Sequence, residues 1–204
     1  MRMSSNIKIT DPKELGEFVR THLGHRLTAM AAPICLPENH LCWCGRNDAY
    51  RSAKEGSYSM LRMFIEFLGV KSIRGIPQTL REAPANEPDT ILMDAFVNAK
   101  VTPVEFGAEQ GFIAEIHRTL CKINSHFTYD QSAPAFYDRI VSPHDETDWA
   151  RAVEIVIQKL DQHFYSVVQQ PMTVHFDLEV PFRDRFVAKL GLKSPIRGDG
   201  LGRP

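Results

Sequence analysis

The pattern of apolar and polar positions along the chain is mostly helical. The clearest helix covers residues 109–126, where apolar residues recur at steps of three and four and so share one core-facing stripe. The other helices are expected to pack around this one. The stripe consists of Phe112, Ile113, Ile116, Leu120, Ile123 and Phe127.

Two more long helices are predicted over residues 47–69 and 147–168. Apolar residues spread over nearly half the circumference of the first, which indicates that more than one neighbour covers it. The second has the most regular apolar stripe in the chain. One side chain from each long helix is predicted to be nearly inaccessible to solvent: Phe64, Leu120 and Leu160.

Glycine and proline positions predict the limits of the shorter elements. A helix capped near Asp11 is expected to stop at Gly24, because glycine commonly ends helices. Gly56, inside the predicted helix over residues 47–69, indicates a close helix crossing. Residues 70–88 contain one glycine and three prolines, and are predicted to be mostly connection, with one helical turn at 78–82.

The pattern changes to a period of two over residues 172–180, which favours a strand. A strand needs a partner for its backbone groups, and residues 7–9 are the other alternating stretch. We therefore predict a minor two-stranded β element that joins the N- and C-terminal segments. The competing interpretation is a helix with Val174, Leu178 and Phe182 on one face.

These elements predict a mainly α fold, with a single helical, bundle-like domain over residues 1–192 and a flexible tail over 193–204. The 204 residues can bury a core as one domain, and 43% hydrophobic with 24% charged residues is ordinary for a globular protein. The net charge of -1 argues against a broad electrostatic nucleic-acid binder. No apolar run approaches the roughly 20 residues that span a bilayer. With no secretory signal at the start, we expect a cytoplasmic protein without a membrane partner.

The first candidate site is a row of polar residues on the 109–126 helix. Arg118, Lys122 and His126 are spaced i, i+4 and i+8, with Asn124 close by. A histidine exchanges protons near neutral pH, and a neighbouring cation stabilises a phosphate, as metal-independent RNA cleavage requires. The alternative is that the two cations are ordinary solvated residues and that His126 lies at the helix end.

The same stretch carries a family resemblance. An all-helical chain with Lys122, then Asn124, then His126 followed by Phe-Thr-Tyr resembles proteins of the HEPN type. The resemblance implies a helical bundle and, as in several members of that family, ribonuclease activity in toxin–antitoxin or phage-defence systems. The spacing departs from the family's arginine–histidine motif, since seven residues separate Arg118 from His126 and three separate Lys122 from it. Only His126 is therefore carried over.

The second candidate is a loop that contains Cys35, His40, Cys42 and Cys44. Thiolate and imidazole are ligands that zinc prefers, and four of them could close a tetrahedral site. The Cys-x-Cys pair around Trp43 is less typical of zinc loops, and apolar thiols under a tryptophan explain the same residues. We predict no stoichiometric zinc and no cofactor.

Three functional hypotheses follow. The leading one is a cytoplasmic helical protein that acts by binding, as a homodimer through a wide-faced helix. The first alternative is a metal-independent ribonuclease of HEPN type centred on His126, with RNA as its partner. The second is a small-molecule-binding protein or enzyme with a pocket between the long helices. Together they leave open whether the protein is an enzyme.

Overall fold

The structure, a computed structural model, describes residues 11–36, 47–84, 92–97, 100–125 and 146–199. The fold is mainly α-helical, as the sequence pattern predicts. Three of the described helices contain a π-helical stretch between two α-helical segments. In chain order the described helices are α1 (Pro12–Glu17, Phe18–Leu23 and Gly24–Cys35), α2 (Asn47–Phe67), α3 (Asp94–Val97), α4 (Gln110–Ser125), α5 (Glu146–Leu160, Asp161–Tyr165 and Ser166–Val168) and α6 (Glu179–Phe182, Arg183–Val187 and Ala188–Leu190).

Four short strands accompany the helices in the described part of the chain. The first two form an antiparallel hairpin, and the last two form a parallel pair. Two 3₁₀ helices, Pro103–Glu109 and Phe176–Leu178, precede α4 and α6. The strands are β1 (Val70–Ser72), β2 (Leu80–Glu82), β3 (Met172–Val174) and β4 (Ile196–Gly198).

The core lies where the long helices meet. Phe64 and Leu160 are 0% exposed and Leu120 is 3% exposed, which confirms the predicted burial of all three. The wide apolar face of α2 is covered by α1, α4 and α5. The periodicity of three and four therefore identified the faces of the three longest helical segments correctly.

Two glycines have a different role from the predicted one. Gly24 does not end a helix, because α1 continues through it to Cys35. A Cβ at this position would lie 3.0 Å from the backbone oxygen of Thr173, so the glycine allows β3 to approach α1. The close crossing predicted at Gly56 is wrong, since a Cβ there would meet no atom within 4 Å.

The segment predicted as connection with a turn at 78–82 is instead the β1–β2 hairpin, with Lys71 opposite Arg81 and Ser72 opposite Leu80. Gly69, at a φ of +95°, turns the chain from α2 into the hairpin. A Cβ at Gly69 would also lie 2.9 Å from the Cβ of Lys100. Strands of three residues are too short to show a period of two, so the pattern missed them.

The predicted nine-residue strand over 172–180 is correct only for β3. Beyond Val174 the chain is helical, and the competing helical interpretation applies: Leu178 and Phe182 are buried, while Phe176 and Val180 are exposed. The partner of β3 is β4, which lies in the segment assigned to a flexible tail. The predicted partner, residues 7–9, lies outside the described residues.

A buried carboxylate holds that C-terminal segment against α5. Asp161 lies on the π-helical stretch of α5 and is 2% exposed, although aspartate side chains are mostly exposed in proteins. Its Oδ2 accepts a hydrogen bond of 2.9 Å from the backbone N–H of Lys193, and its Oδ1 accepts one of 2.8 Å from Ser194. Asp161 is four residues after the buried Ile157 and therefore lies at the edge of the apolar face of α5.

None of the helices in the described ranges combines the length and the apolar character that crossing a membrane requires.

Candidate functional site

Four polar side chains meet where α2, α4 and the β1–β2 hairpin pack together. His117 and Cys121 lie four residues apart on α4, which places them on the same helix face. Glu66 belongs to the last turn of α2, and Ser72 ends β1. We refer to Glu66, Ser72, His117 and Cys121 as the His117 cluster.

His117 is the centre of the cluster, and its side chain is only 3% exposed. Its Nδ1 lies 2.9 Å from the Ser72 hydroxyl and accepts a hydrogen bond of 3.2 Å from the Ser72 backbone N–H. Its Nε2 lies 3.2 Å from Oε1 of Glu66. Because the backbone N–H can only donate, the neutral ring carries its proton on Nε2, directed at the carboxylate.

Charges around the ring favour the ionised forms of both partners. Burial opposes ionisation of Glu66, but hydrogen bonds from His117 and from Arg62, whose Nε lies 2.9 Å from Oε1, outweigh it and lower the pKa of the carboxyl. Burial also opposes the imidazolium, but hydrogen bonds with Cys121 and Glu66 and their negative charges raise the pKa of His117. The polar side chains of the cluster thus interact strongly with one another beside the apolar core.

The Cys121 thiol contacts the imidazole without being in line with either nitrogen. Its Sγ lies 3.7 Å from Nδ1 and 3.8 Å from Nε2 of His117. A sulfur almost equidistant from both nitrogens cannot lie along the lone-pair direction of one of them. The pair therefore lacks the in-line geometry between nucleophile and base that a cysteine hydrolase uses.

The same atoms suit a different chemistry, because they are three kinds of metal ligand that lie close together. A Glu66 carboxylate oxygen, a ring nitrogen of His117 and the sulfur of Cys121 all lie within 4.8 Å of one another. Bond lengths of about 2.0–2.3 Å place the donors of a tetrahedral zinc site roughly 3.3–3.8 Å apart. The observed separations of 3.2 Å for Nε2–Oε1 and 3.8 Å for Sγ–Nε2 are close to those edges.

The residues predicted from the sequence do not assemble with this cluster. Arg118 lies on α4, but its guanidinium binds Glu115, with Nε 3.0 Å from Oε2. Lys122 and Asn124 belong to the end of α4, and their side chains lie outside the described part of the structure. His126 is likewise outside the described residues. The ribonuclease hypothesis therefore stays a prediction.

The cysteine loop is described only at its first residue. Cys35 ends α1 as a half-buried free thiol, and burial, opposed by the charge of Arg185, raises its pKa to about 12. His40, Cys42 and Cys44 lie outside the described residues. The alternative of a structural zinc site in this loop is therefore untested.

The sequence contains one pattern that indicates the His117 cluster and that the sequence analysis did not identify. His117 and Cys121 form an H-x-x-x-C pair on the helix that we placed at the centre of the fold. Imidazole and thiol at i and i+4 share a helix face and are both metal ligands. Glu66 and Ser72 carry no such signal, since only the packing of α2 and the hairpin brings them to the pair.

No protein-family model, no curated protein and no solved structure matches the chain. The geometry of the site is therefore the basis for a functional proposal, and the likeness to HEPN proteins stays a prediction.

Proposed function

We propose that the protein binds a divalent transition-metal ion, with zinc as the best fit, through Glu66, His117 and Cys121. The observation that carries the proposal is that three different metal-ligand atoms lie within 4.8 Å of one another. The site lies between two long helices. The proposal is therefore a specific form of the second alternative from the sequence, a binding protein or enzyme with its site between the long helices. It revises the prediction of no stoichiometric zinc, which considered only the cysteine loop.

The donor set supports zinc over the harder cations. Magnesium and calcium take oxygen ligands, whereas a thiolate with an imidazole selects zinc and related transition metals. Three protein ligands also leave a fourth position for water or a ligand, as in catalytic zinc sites, while structural zinc sites are closed by four. An ion held in this way polarises a bound group or lowers the pKa of a bound water.

Ser72 supports the ion indirectly. When an ion occupies Nε2 of His117, the ring proton moves to Nδ1, and the Ser72 hydroxyl, 2.9 Å away, is placed to accept it. The hydrogen bond from the Ser72 backbone N–H is then given up. Such an outer partner fixes the ring orientation and raises the basicity of the ligating nitrogen.

The homodimer hypothesis loses its main support from the sequence. It relied on surplus apolar surface on a wide-faced helix, and the face of α2 is covered by α1, α4 and α5 within the chain. Dimerisation stays a prediction.

Metal analysis of the purified protein tests the proposal. Protein loaded with zinc and then freed of unbound ion is expected to retain about one zinc per chain. His117→Gln and Cys121→Ser should each lose it, and Ser72→Ala should weaken zinc binding by about 10–100-fold. After cobalt substitution, a thiolate-to-metal absorption band should be present in the parent protein and absent from Cys121→Ser.

Cys35→Ser is the matched control, because it removes a thiol that does not belong to the cluster. It should keep both the zinc and the cobalt band. Circular dichroism establishes whether each variant is folded. If His117→Gln is unfolded, Glu66→Gln, which preserves the shape of the side chain, replaces it in the test. Zinc retained equally by all the cluster variants, or no zinc retained by the folded parent protein, would contradict the proposal.

A further inference from the structure

Without an ion, the His117 cluster has the arrangement of a nucleophile, a base and a carboxylate. The Ser72 hydroxyl lies 2.9 Å from Nδ1 of His117, and the opposite ring nitrogen, Nε2, lies 3.2 Å from Oε1 of Glu66. Since the neutral ring carries its proton on Nε2, its Nδ1 offers only a lone pair, and the Ser72 hydroxyl is the donor in their hydrogen bond. A chain of hydrogen bonds thus runs from the hydroxyl through the imidazole to the carboxylate.

Such a chain activates a serine through the roles of its members, whatever their order in the sequence. The imidazole takes the proton of the attacking hydroxyl, and the carboxylate holds the ring in the required tautomer and stabilises the imidazolium. In serine proteases the hydroxyl faces Nε2 and the carboxylate faces Nδ1, and here the two nitrogens are exchanged. Each nitrogen still has one role. The sulfur of Cys121 lies farther from Nδ1, at 3.7 Å, so the hydroxyl is the better placed nucleophile.

Ser72 is more exposed to solvent than its base, since it is half-buried at the end of β1 whereas His117 is buried. The nearest backbone N–H groups are already used. That of Ser72 donates to Nδ1 of His117, and that of Ile73 donates to the oxygen of Thr79 at 3.2 Å. These two groups therefore supply no oxyanion hole, which contributes strongly to the cleavage of amides and unactivated esters. The arrangement suits acyl donors with a good leaving group.

We infer that Ser72 of the metal-free protein is a nucleophile that takes an acyl group from an activated ester, with His117 as its general base. The hydroxyl oxygen attacks the carbonyl carbon, and the hydroxyl proton passes to Nδ1. The bond between that carbon and the leaving oxygen then breaks, and the leaving alkoxide takes the proton from Nδ1. The products are acyl-Ser72 and an alcohol. Water, deprotonated by the same nitrogen, then releases the carboxylic acid and restores the hydroxyl.

The proposed metal site gives this reactivity an off state. An ion on Nε2 of His117 moves the ring proton to Nδ1, so the ring can no longer accept a proton from Ser72. Zinc should therefore suppress acylation of the serine. Only this suppression rests on the proposed function, because acylation itself needs no metal. The structural alternative is that Ser72 does no more than orient the ring.

Reaction with p-nitrophenyl acetate tests the inference, with the acetylated residues mapped by mass spectrometry. The metal-free protein should carry an acetyl group on Ser72, and added zinc should prevent it. His117→Gln should slow acetylation of Ser72 by at least about 100-fold, and Glu66→Gln should slow it by at least about tenfold. The parent protein unfolded in urea should leave Ser72 unacetylated, which is a control that needs no variant.

Ser59→Ala is the matched control, because the Ser59 hydroxyl donates to the backbone oxygen of Glu55 and not to an imidazole. It should leave acetylation of Ser72 unchanged. Acetyl groups on lysine or cysteine but not on Ser72, or equal acetylation of Ser72 in the parent protein and in folded His117→Gln, would overturn the inference and leave the metal proposal standing. Acetylation of Ser72 that zinc does not suppress would support the inference and count against an ion on Nε2. A protein that acetylates Ser72 and retains no zinc would overturn the metal proposal alone.

Discussion

Phe64→Ala is expected to lower the free energy of unfolding by about 3–5 kcal/mol. Phe64 is fully buried on α2, in the core where α1, α4 and α5 cover that helix. Truncation removes most of a large apolar side chain and leaves a cavity that the surrounding helices can fill only in part. Urea denaturation followed by circular dichroism measures the change.

Phe176→Ala is the matched control, because the same change is made at a phenylalanine that is 63% exposed. Its effect should stay within about 0.5 kcal/mol. Similar losses in the two variants would show that the helical core is assigned to the wrong residues.

Asp161→Ala is expected to cost about 2–5 kcal/mol, since it leaves the buried backbone donor of Ser194 and the part-buried backbone donor of Lys193 without their acceptor. Asp161→Asn should cost less, because its amide oxygen can still accept one of the two hydrogen bonds. The same denaturation experiment measures both variants. The control is Asp184→Ala, at an exposed aspartate on α6, which should change stability little. A neutral result for Asp161→Ala would show that the carboxylate does not hold the C-terminal segment.

The helical part of the fold was predictable because long helices repeat one apolar face many times. In α2, α4 and α5 the period of three and four continues over at least four turns, so single exceptions do not hide it. Phe64, Leu120 and Leu160 are buried as that period predicts. Asp161 is a departure, because its carboxylate is buried against the backbone N–H groups of Lys193 and Ser194, a contact that periodicity does not predict.

The strands were less predictable because each is three residues long. Alternation over 172–180 indicated a strand, but only three of those residues pair, since β4 supplies only three partners. Both β4 and the hairpin lie in segments whose glycines and prolines predicted loops. Pairing between distant segments depends on tertiary packing, which local composition does not predict.

The candidate site was predictable only in part, for a similar reason. The His117–Cys121 pair depends on helical spacing alone and was present in the sequence. Glu66 lies on the polar side of α2 by periodicity, which is the usual pattern of a solvated residue. Its contact with His117 depends on how α2 packs beside α4, and that packing is decided by apolar residues elsewhere in the core.

The turn at Gly69 makes the site vulnerable to a residue that touches none of its ligands. Glu66 lies three residues before this glycine and Ser72 three residues after it, so this turn sets the distance between the carboxylate and the hydroxyl that contact His117. Gly69→Ala would strain the positive φ and press on Lys100, tilting the hairpin against α2. We expect weaker zinc binding in a protein that remains helical by circular dichroism, whereas Gly75→Ala, at the tip of the hairpin and also at positive φ, should leave zinc binding unchanged. Unchanged zinc binding in Gly69→Ala would show that the turn at Gly69 does not position Glu66 and Ser72.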